Sequence, residues 1–239
     1  MNLINMKFSV NTILFLSTLL AACSTETHVE HRSVALLYDR TSIEIQEPEI
    51  LQINKEIGLE LNSNNAVHFR YLNLGNTKYL KVEELKLGSN PSLLANEIER
   101  IAKVEKFKKE LNTFLEQQIH REHDYNNSSL LAPLVEALHL LRLDLADHKT
   151  ILMYSDLEEH TDIFSVYRKR DLDLALNDPP LAAKKLSEKL VLGDFMDITL
   201  RIIHYPKDME SDKRFNTMLS VYKQVFKETG LRIKYNSEQ

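Results

Sequence analysis

Two short runs leave this chain little choice of fold. Val34-Ala35-Leu36-Leu37-Tyr38 and Thr150-Ile151-Leu152-Met153-Tyr154 are almost continuously apolar, and each ends at an acid, Asp39 directly and Asp156 after Ser155. A strand with one wet face alternates apolar and polar residues, whereas a continuous run must be covered on both faces, as in a parallel sheet between helices. Residues 67–74 form a second such strand, ended by the turn signal Gly75-Asn76, and the more polar 79–87 suits an edge. Residues 197–204 and 231–235 supply two more strands.

Helical periodicity lies between them. In 91–122, Leu94, Ile98, Ile101, Val104, Phe107, Leu111, Phe114 and Leu115 recur at spacings of three and four, with Asn90 as cap and Pro91 in the first turn. Helices are also expected over 130–146, 180–191 and 211–229, the last ended by Gly230, with Tyr222 and Phe226 in the core. Alternating strands and helices of this kind predict a three-layer, doubly wound, mostly parallel α/β domain.

The first 22 residues have a different logic. One cation, Lys7, precedes an apolar stretch over 13–20 that is far shorter than the roughly 20 residues needed to span a bilayer, which suits a cleaved export signal. Leu20-Ala21-Ala22-Cys23 resembles the lipobox of bacterial lipoproteins, and the resemblance implies acylation of Cys23 and anchoring to a membrane. Cys23 is the sole cysteine, so an exported domain would have no internal disulfide. The expected organisation is a signal over 1–22, a lipidated cysteine and polar tether over 23–32, and one domain over 33–239. Ser24, by resemblance to sorting rules in Gram-negative cells, implies the outer membrane. A formal charge of −5 argues against a nucleic-acid partner, which would favour a basic face.

In open parallel sheets ligands bind at the carboxyl ends of the strands. If the strands that end at Asp39 and Asp156 are neighbours, both acids could face one small cation; as metal-free alternatives they could end their strands through Asx hydrogen bonds. Asp39-Arg40-Thr41-Ser42-Ile43, the segment Asn127-Ser128-Ser129-Leu130 before a helix, and Ser155-Asp156-Leu157-Glu158-Glu159 together resemble the three motifs of a von Willebrand factor A-type domain. That resemblance implies strand order 3-2-1-4-5-6 with the third strand antiparallel at an edge. It also implies a metal-ion-dependent adhesion site for Mg²⁺, held by Asp39, Thr41, Ser128 or Ser129, and Asp156. Ile43 stands where the family has a second hydroxyl, and alignment on Pro133 and Ala137 would put Ala132 at the helix-start position.

Ser42, Glu158 and Glu159 are candidate partner contacts, with Asp156, Glu158 and Glu159 on a solvated loop along with the basic run Arg168-Lys169-Arg170. His120 and His123, like His28 and His31, lack the further ligands a zinc site needs. Ser155 lacks a Gly-x-Ser-x-Gly elbow, so a periplasmic hydrolase is the weakest reading. The expectation is a membrane-anchored module, not an enzyme, that binds a protein or envelope partner with Mg²⁺ assistance; the alternative is a metal-independent scaffold in an envelope assembly.

Overall fold

A computed structural model describes residues 29–41, 45–61, 63–74, 81–90, 96–120 and 128–236. The leader, Cys23, Ser42 and Ile43 lie outside the described residues. Among the described residues six strands form one sheet: β1 (His31–Asp39), β2 (Ala66–Leu74), β3 (Val82–Leu87), β4 (His148–Tyr154), β5 (Ile198–Ile203) and β6 (Arg232–Tyr235), in the order β3-β2-β1-β4-β5-β6. The β2–β3 pair is antiparallel and the others are parallel. The helices among the described residues are α1 (Ile50–Ile57), α2 (Glu97–Ile119), α3 (Leu131–Arg142), α4 (Lys169–Asn177), α5 (Pro179–Leu186) and α6 (Met209–Val225). This is the expected α/β architecture and strand order.

The apolar character of β1 follows from its central position. Val34, Leu36 and Tyr38 point into one core with Ile53 and Ile57 of α1 and Val104, Phe107, Leu111 and Leu115 of α2. Ala35 and Leu37 point into the other, with Leu134 and Leu138 of α3, Ala182 and Ala183 of α5, and Phe215 and Tyr222 of α6. Alternate side chains thus serve opposite layers, and at about 1.5–3 kcal/mol for each large apolar side chain fully buried, both faces hold the sheet.

Several boundaries differ from the sequence-based ones for identifiable reasons. β1 starts at His31 rather than Ser33, because the His31 N–H donates to Asp147 Oδ2 at 2.8 Å and the ladder with β2 begins at His31 opposite Ala66. Helix α2 starts at Glu97: Asn96, not Asn90, is its cap, accepting from the Ile98 N–H at 3.0 Å, and Ile98 is exposed rather than on the buried face. Pro91 and Leu94 lie outside the described residues. The expected helix 180–191 stops at Leu186, and 211–229 becomes Met209–Val225. Helices α1 and α4 were not anticipated; each is about two turns long, and α1 buries only Ile53 and Ile57.

Gly230 turns the chain into β6 with φ of +72°, and a β-carbon there would lie 2.7 Å from Met196 Cβ and 2.9 Å from its Cα. Gly88, by contrast, has open space around it. Gly230→Ala should therefore lower stability by about 1–3 kcal/mol, through positive φ and backbone collision. Gly88→Ala should change it by much less, as read from urea denaturation midpoints of the two variants.

Candidate functional site at the strand ends

Strands β1 and β4 are neighbours with Tyr38 opposite Tyr154, so the next residues, Asp39 and Ser155, meet at the carboxyl end of the sheet. Asp39 is fully buried. Its Oδ1 accepts from the Thr41 N–H at 3.1 Å and the Thr41 hydroxyl at 2.7 Å, and its Oδ2 accepts from the Ser155 hydroxyl at 2.8 Å. Thr41 Oγ1 also lies 3.3 Å from Ser128 Oγ, which links the segment ahead of α3 to the same cluster. Asp39, Thr41 and Ser128 are thus joined directly, and Asp156 follows Ser155.

Of the two serines, it is Ser128 that reaches the cluster. Ser129 lines a cleft of about 320 Å³ with Ala132, Glu159, Thr161 and Ile163. Helix α3 itself begins at Leu131, three residues after Ser128. Ser155 is fully buried, and its Oγ donates to Asp39 while accepting from the Leu157 N–H at 3.0 Å. That geometry makes it a strut between two strand ends.

The acidic loop after β4 corrects the sequence-based expectation of solvent. Glu159 is 2% exposed and Glu158 is 8% exposed. Glu159 accepts from the Leu130 and Leu131 N–H groups at 3.2 Å and from the Tyr222 hydroxyl at 3.1 Å. It therefore caps α3 from a distant loop, where the N-cap residue Leu130 has no side chain able to do so, and its charge faces the positive end of the helix dipole. Glu158 accepts from Arg214 Nε at 2.6 Å and from the Tyr167 hydroxyl at 2.7 Å. Just ahead of both, buried Leu157 takes φ of +60°, a conformation uncommon for a residue with a branched side chain and held here by the bond from its N–H to Ser155 and the bond its carbonyl accepts from Glu159.

Arg214 and Tyr222 carry no local signal of a role at the site, because both come from α6, remote in sequence from their partners, and Tyr167, nine residues beyond Glu158, meets it only because the loop folds back. The basic run is also engaged: Arg168 pairs with Asp171 at 2.7 Å and Lys169 with Asp173 at 2.8 Å.

The electrostatics mark the cluster as short of positive charge. Burial, chiefly, raises the pKa of Asp39, against the hydrogen bonds from Thr41 and Ser155. Burial and then the neighbouring charge of Asp39 push Asp156 up to about 7, with Arg214 opposing. Burial likewise pushes Glu159 up to about 7, against its bonds from Leu130, Leu131 and Tyr222.

Two mutually repelling carboxylates beside two hydroxyls are a hard, oxygen-only donor set that fits Mg²⁺ completed by water. Among the described residues no group of three or more His, Cys, Asp or Glu side chains is arranged to hold a metal ion, so a cation here would depend on those hydroxyls. No helix of the described residues is long and apolar enough to cross a membrane.

No family model matches the sequence, and no curated protein matches it. Among solved structures, the fold is similar to the D319A mutant of the PilB minor pilin from Streptococcus sanguinis, at 12% identity and a TM-score of 0.43, over 90% of this chain and 59% of that one. The chain thus spans less than two thirds of that neighbour's length.

The raised carboxylates give a pH signature with a definite sign. A folded state that binds protons more tightly than the unfolded chain gains stability on acidification, so Asp156 and Glu159 each favour folding as pH falls from about 7 toward 4. Each contributes about 1.4 kcal/mol per pH unit across that window, and nothing further above about pH 7. His68, whose pKa burial lowers, acts in the opposite sense. Asp156→Asn isolates the effect: the difference in melting temperature between variant and parent should be largest at pH 8 in the variant's favour and shrink toward pH 4.

Proposed function

We propose that this protein is a lipid-anchored binding module of the cell envelope, held at the outer membrane through acylated Cys23, which recognises a protein or envelope partner at the carboxyl ends of β1 and β4. The observation that carries this reading is the junction of Asp39, Thr41 and Ser128 beside Asp156, three segments far apart in sequence brought to one strand-end face. The sequence resemblance to von Willebrand factor A-type domains supports it, as does the expected order of the sheet. The several acyl chains implied by the lipobox would make attachment durable, where one chain alone binds reversibly.

In this reading Asp39, Thr41, Ser128 and Asp156 hold Mg²⁺, and the bound ion supplies a Lewis-acidic position for an acidic group on the partner. The chain's own contribution is to keep the carboxylates aligned. Ser155 holds Asp39 from one side, Thr41 holds it from the other, and Glu159 fixes α3 against the loop.

One observation favours a metal-independent scaffold instead. Arg214 reaches the acidic loop from α6, pairs with Glu158 and opposes the rise in the pKa of Asp156, so the fold already brings one cation to this face.

Thermal melting of the intact chain in detergent with Mg²⁺, Mn²⁺ or chelator separates the two. An ion at 100 times its dissociation constant adds about 2.7 kcal/mol, which for a domain of this size raises the melting temperature by about 5–10 °C. The metal-assisted reading expects that rise in the parent and its loss in Asp39→Ala and Asp156→Ala. Melting curves indifferent to ion and chelator would leave the scaffold reading.

A further inference from the structure

The strands of the parallel set begin at the end of the sheet opposite the candidate site, and the loops at that end carry exposed apolar side chains. Leu143 and Leu145 lie in the loop before β4, and Val191 and Met196 in the loop before β5; all four are strongly exposed, Leu145 at 97%. The two loops are held near one another: His139 of α3 bonds to the Val191 carbonyl at 2.9 Å and its ring meets that of Phe195 edge-on at 5.3 Å. These are not residues left over from a soft surface. The segment between α3 and β4 also carries Asp144, which is locked to Arg70 by bonds of 2.6 and 2.9 Å.

The chain enters the domain at this same place. The His31 N–H donates to Asp147 Oδ2 and the Asp147 N–H donates to the His31 carbonyl, both at 2.8 Å, so the start of β1 is pinned to the loop that bears Leu143 and Leu145. Cys23 precedes His31 by eight residues, a stretch that reaches at most about 28 Å when fully extended. An acyl anchor on Cys23 would thus keep this end of the domain within one domain's width of the bilayer.

We propose that the end face bearing Leu143, Leu145, Val191 and Met196 docks onto the surface of the lipid bilayer to which Cys23 anchors the chain. The proposal rests on the lipoprotein reading above and adds an orientation to it. Loop tips of this kind enter the interfacial layer through apolar area, with electrostatic attraction as a separate contribution. At this end of the sheet Arg32, Lys86 and Arg70 are paired within the protein, with Glu30 at 2.7 Å, Glu84 at 2.9 Å and Asp144 at 2.6 Å, so these cations add little and apolar area is the larger contribution. Docking should therefore persist at high salt. It also directs Asp39 and Asp156 outward, about 30 Å from the lipid surface along the nine-residue β1.

Because acylation consumes the sole native thiol, a cysteine placed elsewhere is the one labelling site. Leu145→Cys, Met196→Cys and the control Met209→Cys, an exposed position at the opposite end of the sheet, would each carry a nitrobenzoxadiazole fluorophore on the full lipidated chain. The labelled chains are placed in vesicles of phosphatidylethanolamine and phosphatidylglycerol with nitroxide on the acyl chains. The expected result is a blue shift and loss of most fluorescence at 145 and 196, none at 209, unchanged in high salt. Intact mass showing acylated Cys23, with no quenching at 145 or equal quenching at 145 and 209, overturns docking and leaves the anchor standing. An unacylated Cys23 overturns the anchor and docking together.

Discussion

The adjacency of parallel β1 and β4 is the constraint on which everything at the strand-end face depends. With Tyr38 opposite Tyr154, Asp39 has no room to reach solvent and instead takes its hydrogen bonds from Thr41 and Ser155. A register slip by one residue would turn every side chain of β1 to the other layer and dissolve this junction. The hydrophobic alternation between the two cores therefore sets the register, and the register sets the site.

Burying carboxylates is expensive, and the fold manages the expense unevenly. Glu158 has a full counter-charge in Arg214, and Glu159 has the open N–H groups of α3 together with Tyr222. Among the described residues Asp156 accepts from the Glu158 N–H at 2.9 Å, and it sits within reach of the charge on Asp39. Charge imbalance concentrated in one place, beside hydroxyls and at the ends of buried strands, is what distinguishes this cluster from ion pairs such as Lys169 and Asp173 on the surface.

Much of this architecture could be read from the residues, because continuous apolar runs and helical periodicity are local signals. The strands, the long helix α2 and the link between Asp39 and Thr41, two residues apart, are all of that kind. Helices α1 and α4 were not legible, since two turns give too few apolar repeats to stand out. The burial of Glu158 and Glu159 was not legible either: an acidic run reads as solvated unless its partners are known, and Arg214, Tyr167 and Tyr222 become partners only through the fold. The same holds for the choice of Ser128 over Ser129, which is decided by which hydroxyl turns toward Thr41.

The central claim, that this face stores carboxylates short of positive charge, can be tested at the atoms concerned. Carbon-detected NMR titration of the side-chain carboxyl groups, with assignments from Asp156→Asn and Glu159→Gln, reads their protonation directly. The resonances of Asp156 and Glu159 are expected to titrate near pH 7 in metal-free protein. Titration of both near pH 4, the range of a solvated carboxyl group, would contradict it.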